Sequence, residues 1–300
     1  ELYNLMLFNS DRRAFEYMQL YHYEKKEWEE KFSLSKINYS YLREQLFTGS
    51  LGNYASCFEY LESIKFGLNE NKKLIFQKSK VNKITNEALF EYFKDFIEYI
   101  DNNDIYNKTR FSYELPIALP LGHSLEIGKI ETFQGPGYNF VLQEKHKKKL
   151  KQNMLFKLKD KHIRHGYNKL KKLGIGKNDW WVTIHCRSGN TKGDWNTEYW
   201  RNSNISKFNK AINFINSIGG YVFRMGDNSM PKINETKKII DYANSDIKDS
   251  IMDVFLGATS KFHLGTSSGY PIIPRFFGVP LLLCETTQTL SYWSLNDYDV

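Results

Sequence analysis

The second half of the chain alternates short apolar runs with segments of helical periodicity. Runs rich in β-branched and aromatic residues predict strands at Trp180–Cys186, Tyr221–Gly226, Lys261–Thr266 and Pro280–Glu285. Apolar residues at helical spacing predict helices at Phe208–Ile218, Lys237–Asn244, Ile251–Ala258 and Tyr270–Phe277. Strands that alternate with helices at this spacing need crossover connections, so the pattern predicts an α/β fold with a parallel, doubly wound sheet.

The first half of the chain is less regular. Residues 1–45 carry apolar side chains at roughly helical intervals among charges and predict a helical extension. After the glycine-containing segment Gly49–Ala55 come a short apolar run, Lys72–Gln77, and a helical pattern, Asn86–Ile100. We expect an alternating αβ domain over residues 46–178 and a second αβ domain over residues 179–300.

Each predicted strand of the second half leads into polar or glycine-rich sequence. The candidate residues at these ends are His185, Arg187 and Ser188; Arg224, Gly226 and Asp227; Gly265, Thr266, Ser267 and Ser268; and Glu285. The carboxyl ends of parallel strands lie along one edge of a sheet, and ligands of open α/β sheets bind at that edge. The pattern therefore predicts a binding site at the carboxyl edge.

The segment Gly265–Gly269 has the composition of a phosphate cradle, because it offers backbone N–H groups and hydroxyls just before a helix. An ordinary glycine–serine turn is the alternative. Arg187 and Arg224 are cations able to hold a diphosphate through paired hydrogen bonds, and the alternative for each is a structural ion pair. His185 lies on the same side of its strand as Arg187, so it either orients that arginine, contacts a sugar or is a buried core histidine.

Catalytic carboxylates are expected in the segment Thr191–Ile205, which follows the first strand of this half. Asp194 and Glu198 are candidates for activating an acceptor hydroxyl, with solvated loop carboxylates as the alternative. Neither GxxxxGK[ST] nor GxGxxG occurs, which argues against a P-loop enzyme and a dinucleotide-binding enzyme. No second histidine lies near His185 at ligand spacing, so we predict no metal site.

Positive charge is concentrated in one segment. The chain has a net charge of +8, and residues 144–173 hold eleven lysines and one arginine against Glu144 and Asp160. This basic helix predicts peripheral contact with an anionic membrane or with a phosphate-bearing acceptor, and the alternative is a solvated helix face. No nucleic-acid-binding motif accompanies it, so no nucleic-acid partner is expected.

The sequence also limits the class and location of the protein. No apolar run reaches the roughly 20 residues of a membrane-spanning helix, and the hydrophobic (41%) and charged (25%) contents are typical of a globular protein. The widely spaced Cys57, Cys186 and Cys284 predict no disulfide framework. Because the start of the chain has no signal-peptide pattern, we expect a cytoplasmic protein, or one that is peripheral on the inner face of the membrane.

Several short strings together resemble a known family. They are HCR at His185–Arg187, YWRNSNI at residues 199–205, GGYVFRMGD at residues 219–227 and DVFLGATSKFHLGTSSGYPIIPRFFGVP at residues 253–280. In this order they are similar to a bacterial family of glycosyltransferases from surface-polysaccharide clusters. More loosely, the order resembles the fucosyltransferase superfamily.

The resemblance implies a GT-B fold, with two Rossmann-like domains facing a cleft, the amino-terminal one for the acceptor and the carboxyl-terminal one for a nucleotide sugar. It implies that Arg187 is catalytic, because it holds the donor diphosphate and stabilises the departing nucleotide, and that Ser267 and Ser268 contact phosphate. Further donor-binding candidates in the matched motifs are Arg201, Asn202, Arg224, Gly226, Asp227 and Asp253. Gly49, Gly52 and Asn53 resemble the first strand–helix turn of the family's amino-terminal domain.

The predicted function is metal-independent transfer of a sugar, with inversion, from a nucleotide sugar to a glycan or lipid-linked acceptor in surface-glycan synthesis, without a cofactor. A GDP-sugar is favoured as donor. Asn190 stands where the fucosyltransferase pattern has an acidic residue, which argues against GDP-fucose. The alternatives are a sugar-nucleotide epimerase or hydrolase on the same fold, a non-catalytic module that binds anionic surfaces, and a polyanion-binding protein.

Overall fold

The computed structural model describes residues 39–42, 45–48, 51–52, 54, 73–76, 83–95, 97–99, 154–188 and 202–285. The chain divides into two compact units. The first takes residues 1–49, 56–84 and 93–149, and the second takes Ser50–Ala55, Thr85–Tyr92 and Leu150–Val300. Two short segments from the first third of the sequence therefore belong to the same unit as the second half.

The first unit contains a small parallel sheet. Its elements are β1 (Tyr39–Leu42), α1 (Gln45–Thr48), β2 (Lys73–Phe76) and β3 (Ile97–Tyr99), with strand order β1-β2-β3. Phe47 of α1 is fully buried and packs edge-to-face on Phe93, with 5.4 Å between ring centroids. Residues 1–38, most of the predicted helical extension, lie outside the described residues.

Two short strands of the first unit fall in segments predicted as helix. Tyr39–Leu42, the end of the predicted extension 1–45, pairs with Lys73–Phe76, and Ile97–Tyr99, the end of the predicted helix 86–100, pairs with the other side of β2. Both predictions are wrong at these residues. Short apolar runs fit either structure by periodicity, and pairing with a distant strand decides between them.

The second unit is built on a five-stranded parallel sheet of order β6-β5-β4-β7-β8. Its strands are β4 (Trp181–His185), β5 (Tyr221–Arg224), β6 (Ile239–Ile240), β7 (His263–Gly265) and β8 (Leu281–Leu283). Its helices are α3 (Asp160–Lys171), α4 (Asn209–Ser217), α5 (Ser250–Thr259) and α6 (Ile272–Phe276), and α2 (Glu87–Phe93) lies in this unit up to Tyr92. This confirms the prediction of an α/β fold with a parallel sheet.

One predicted helix of the second half is wrong. Lys237–Asn244 forms the short strand β6 and a 3₁₀ turn, Tyr242–Asn244, instead of a helix. The Thr236 hydroxyl accepts hydrogen bonds from the backbone N–H groups of Lys238 and Ile239, which turns the chain just before β6. The strand then pairs with Val222 and Phe223 of β5, a partner that the local pattern does not reveal.

The sheet of the second unit buries both of its faces. On one face, Val182 and Ile184 of β4 join a core cluster with Ile212 and Ile215 of α4. On the other face, Trp181 packs on Phe255 of α5, with 5.8 Å between ring centroids. Successive side chains of a strand point to opposite faces, so one apolar strand supplies both cores.

Glycine brings α3 against α5 on the second face. A Cβ atom at Gly166 would lie 2.2 Å from the Phe255 ring, so only glycine permits this approach. The part of the basic segment 144–173 that forms α3 is therefore packed into the second unit, and residues 144–153 lie outside the described residues.

No helix in the described ranges is both long and apolar enough to cross a membrane. Cys186 and Cys284 are free thiols, and Cys57 lies outside the described residues.

Candidate functional site

The strand order places a switch point between β4 and β7. The chain runs outward from β4 through β5 to β6 and then returns to the other side of β4 as β7 and β8. In open α/β sheets, a crevice for ligands lies outside the carboxyl ends of the two strands at such a point. The residues that follow these ends are His185–Ser188 after β4 and Gly265–Ser268 after β7.

Hydrogen bonds fasten the ends of β4 and β7 to each other. The Thr266 N–H donates to the His185 carbonyl at 3.0 Å, and the Arg187 N–H donates to the Thr266 hydroxyl at 3.1 Å. A Cβ atom at Gly265 would lie 2.5 Å from the His185 carbonyl oxygen, so this close approach requires glycine. The two strand ends are thereby brought together, as the sequence predicts for residues at one edge of the sheet.

The glycine–serine loop Gly265–Gly269 is buried except at Gly269, which is partly buried. Thr266, Ser267 and Ser268 are each 3% exposed or less. Ser268 Oγ and His185 Nδ1 are hydrogen-bonded at 2.8 Å. The helix that follows, α6, has only five residues, so its dipole adds little at this loop.

Gly52 packs on this loop from the other end of the sequence. A Cβ atom at Gly269 would lie 2.6 Å from the Gly52 backbone nitrogen. Gly52 therefore contacts the glycine–serine loop, which sequence analysis had not linked to the segment Gly49–Asn53. Gly49 and Asn53 themselves lie outside the described residues.

His185 lies in a buried column of rings beneath the loop. Its ring stacks on Tyr270 at 6.0 Å between centroids, and Tyr270 contacts His263 at 5.4 Å. Burial lowers the pKa of His185 to about 4, with the Arg224 charge as the next cause, and burial lowers the pKa of His263 to about 3. Both imidazoles are therefore neutral at pH 7, and the Nδ1 contact of His185 is to the loop.

Arg187 lies beside the segment that precedes α4. Its side chain is half-buried, and its guanidinium donates to the Asn202 side-chain carbonyl at 2.7 Å. The Ser203 N–H donates to the Arg187 carbonyl at 2.8 Å, and the Ser203 hydroxyl donates to Glu285, which also accepts from Lys207 at 2.5 Å. The predicted site residues Arg187, Asn202 and Glu285 thus belong to one cluster after β4 and β8.

Arg224, at the end of β5, has a different environment. It is 3% exposed, its guanidinium lies 2.8 Å from the Asp241 carboxylate, and it donates to the Pro231 carbonyl at 2.6 Å. The structural ion pair that sequence analysis left open is the arrangement present. Asp227 accepts hydrogen bonds from the Ser229 N–H at 2.8 Å and hydroxyl at 2.5 Å, which close its own turn.

Asp253 is the centre of a polar network that ties α5 to its neighbours. Its carboxylate accepts hydrogen bonds from Asn86 at 3.2 Å, from the Tyr242 hydroxyl at 2.8 Å and from Lys248 at 3.1 Å. Asn86 also caps α2, because its side chain accepts from the Leu89 N–H at 2.8 Å. Sequence reasoning missed Asn86, Tyr242 and Lys248, since only Asp253 lay in a recognised motif.

The remaining predicted residues divide into two groups. Asp194, Glu198 and Arg201 lie outside the described residues. The Ser188 hydroxyl oxygen is buried and has no hydrogen-bond partner within the described part of the chain.

The described residues contain no group of His, Cys, Asp and Glu side chains arranged to hold a metal ion.

Comparison with known proteins shows similarity of fold with solved structures. No protein-family model and no curated protein matches the chain. A solved glycosyl transferase of family 9 from Veillonella parvula DSM 2008 superposes with a TM-score of 0.50 over 82% of this chain and 79% of its own, at 9% sequence identity. At this identity the likeness shows a shared fold: a mixed α/β architecture with a parallel sheet.

Two further structures are those of the dodecameric, iron-containing glycosyltransferase TibC of enterotoxigenic E. coli H10407. One superposes with a TM-score of 0.40 at 15% identity, over 82% of this chain and 57% of its own. The other, described as a heptosyltransferase in complex with ADP-D-β-D-heptose, gives 0.40 at 14% identity over 87% and 61%. This chain therefore spans about three fifths of the TibC chains.

Proposed function

We propose that the protein is a glycosyltransferase that uses a nucleotide-sugar donor bound at the carboxyl edge of the second unit's sheet. The observation that carries the proposal is the junction of β4 and β7 at a switch point, where the Arg187 backbone N–H donates to the Thr266 hydroxyl of the glycine–serine loop. An arginine and a loop rich in N–H and hydroxyl donors suit a diphosphate. The shared fold with the Veillonella protein supports the same class.

The chemistry of such a transfer requires stabilisation of negative charge. The bond between the sugar's anomeric carbon and the diphosphate oxygen breaks, and its electron pair leaves with the nucleoside diphosphate. The acceptor hydroxyl oxygen forms the new bond and gives up its proton, for which Asp194 or Glu198 is the proposed base. Arg187 would meet the charge that develops on the leaving oxygen, without a metal ion, and inversion at the anomeric carbon is part of the proposal.

His185 and Asp253 have supporting roles in this proposal. His185 is neutral and bonded to Ser268, so it would position the glycine–serine loop for phosphate. Asp253 bonds three side chains of its own unit and would orient the start of α5. Arg224, which is paired with Asp241, would support the end of β5 without touching the donor.

The acceptor side of the proposal is a glycan or lipid-linked glycan, with peripheral contact of α3 on an anionic membrane. Arg164, Lys171 and Lys172 are exposed on and just after this helix. Each cation near such a surface contributes about 1 kcal/mol. Reversing these three charges to Glu should abolish sedimentation with phosphatidylserine-containing vesicles. The same change at the exposed Lys210, Lys232 and Lys237 is the matched control, and equal loss in both variants would refute contact through α3.

The donor is tested by thermal unfolding with GDP-, UDP-, dTDP-, ADP- and CMP-compounds and no added metal ion. A ligand at a hundredfold its Kd stabilises the protein by about 2.7 kcal/mol, which raises the melting temperature measurably. We expect one base, with a GDP-compound favoured, to stabilise the wild type and Lys210→Ala but not Arg187→Ala. A folded wild type that responds to none of these compounds would contradict the proposal.

A second assay separates transfer from its alternatives on the same fold. When the stabilising nucleotide sugar is incubated with the protein and no acceptor, the nucleotide sugar should remain intact. Release of the nucleoside diphosphate or change of the sugar without any acceptor would instead identify a hydrolase or an epimerase.

A further inference from the structure

The proposed ligand needs cations at the carboxyl edge. A nucleoside diphosphate carries several negative charges, and two cations commonly share such a group. Arg224 is 3% exposed and its guanidinium is engaged by Asp241 and Pro231. The arginine that the sequence offers as the second cation is therefore occupied by the protein itself.

Lys248 is a cation at the same edge that sequence analysis did not select. It lies in the turn between the 3₁₀ turn Tyr242–Asn244 and α5, and such turns lie at the carboxyl edge of a parallel sheet. Its side chain is 28% exposed, with its ammonium 4.8 Å from the Tyr242 ring centroid and 3.1 Å from the Asp253 carboxylate. It is thus partly enclosed and still reached by solvent.

The charge of Lys248 reaches the ends of both β4 and β5. Burial is the main cause that lowers the pKa of His185, and the charges of Arg224, Lys248 and Arg187 lower it further, against Asp227 alone. Burial raises the pKa of Asp227, but hydrogen bonds from Ser229 and the charge of Lys248 outweigh that effect. Tyr270, whose ring stacks on His185, donates its hydroxyl to the Asp253 carbonyl at 3.1 Å, so the start of α5, just after Lys248, lies beside the end of β4.

Lys248 can exchange its partner at low cost. If its ammonium moves, the Asp253 carboxylate keeps the hydrogen bonds from Asn86 and Tyr242. A lysine side chain has a flexible stem and three rotatable donors, so its ammonium can follow a ligand. Arg224 is held more firmly, because the Asp241 side chain is 5% exposed, against 18% for Asp253, and its carboxylate would keep only the neutral donors of Ile233 and Asn244.

We propose that Lys248 is a donor-binding residue that leaves Asp253 to pair with the diphosphate of the nucleotide sugar, as the second cation beside Arg187. This inference rests on the proposed function. It assigns phosphate binding to the turn before α5. Neither the sequence motifs nor the composition of that turn indicate this role.

The test compares Lys248→Met with Lys238→Met. Lys238 is the matched control, because its ammonium also lies over a tyrosine, 5.8 Å from the Tyr221 ring centroid, but directly before β6 at the opposite edge of the sheet. Binding is measured by calorimetry with whichever of GDP, UDP, dTDP and ADP stabilises the wild type most, and with the corresponding nucleoside monophosphate. Lys248→Arg keeps the charge and shows whether a change in packing alone matters.

We expect Lys248→Met to weaken diphosphate binding at least tenfold and monophosphate binding less, while Lys238→Met and Lys248→Arg stay within about threefold of wild type. Equal affinities for Lys248→Met and Lys238→Met would overturn the inference and leave the proposed function intact. Equal weakening of diphosphate and monophosphate would also overturn it. A wild type that binds no nucleoside diphosphate would remove the proposed function, and this inference with it.

Discussion

Arg187 and Arg224 end neighbouring strands of one sheet, yet their surroundings differ. Arg187 comes two residues after β4, and Arg224 is the last residue of β5. Arg224 is almost fully buried and faces the Asp241 carboxylate, whereas Arg187 is half-buried and bonds the neutral side chain of Asn202. The comparison teaches that two arginines at the same edge of one sheet can be buried to different extents and can bond different kinds of partner.

The difference also has an energetic side. Removing one partner of a buried ion pair leaves an uncompensated charge, whereas a hydrogen bond to a neutral group contributes much less. Variants at the two strand ends should therefore separate stability from ligand binding. The expected effects on the free energy of unfolding follow from the largest to the smallest.

Arg224→Met should have the largest effect. Asp241 is 4% exposed, and the loss of its partner should lower the free energy of unfolding by about 3–5 kcal/mol. Urea denaturation measures the loss. The double variant Arg224→Met/Asp241→Asn should recover part of it, because the buried negative charge is then also removed. A loss below about 1 kcal/mol in the single variant would show that the pair is not structural.

Acid should destabilise the fold through the buried histidines His185 and His263. The pKa values of His185 and His263 are about 4 and about 3 in the folded protein, below the ordinary value near 6.5 of an unfolded chain. Between these values the unfolded chain binds more protons, so stability rises with pH and falls on acidification. We expect a loss of roughly 2–3 kcal/mol between pH 7 and pH 5.5.

Denaturation at several pH values tests this slope, with His263→Leu as the informative variant. The Thr183 hydroxyl retains the Ser260 hydroxyl as a partner at 3.4 Å when the imidazole is removed. The variant should lose about half of the pH dependence that His185 and His263 together contribute above pH 5.5. An unchanged slope would show that His263 is not the titrating group.

Gly269→Ala tests the close contact between Gly269 and Gly52, which involves no ion pair. The added methyl group would meet the Gly52 nitrogen at 2.6 Å, and relief of this overlap should cost about 1–3 kcal/mol. Gly176→Ala is the control, because its methyl group would meet nothing nearer than 3.6 Å. Equal unfolding free energies for the two variants would contradict the close approach of Gly52.

Arg187→Ala should have the smallest effect on stability. Its side chain is half-buried, and its hydrogen bond to Asn202 is to a neutral group, so we expect a smaller loss than at Arg224, about 1 kcal/mol. The same variant is expected to lose nucleotide binding. At Arg224 we expect the reverse, a large loss of stability without the loss of a contact to the donor. A loss as large as that of Arg224→Met would remove the distinction between the two strand ends.

Much of the site could be predicted because its signals are local. The glycine–serine loop, the arginine after β4 and Glu285 after β8 were selected from residues adjacent to predicted strands, and the structure brings these strand ends to one edge. Lys248 could not be selected this way. It has no motif around it, and its relevance comes from the side chains of Asp253, Asp227 and His185 that the fold brings near.

The sequence by itself determined β4, β5, β7 and β8, the helices between them and the parallel sheet, because periodicity, crossover length and strand-end residues are local properties. Only the tertiary structure decided that Ile239–Ile240 is a strand, that Arg224 belongs to Asp241 and that Gly52 packs on Gly269. Strand pairing, charge pairing and close packing depend on which residues lie near each other in space. The order of residues along the chain does not show this.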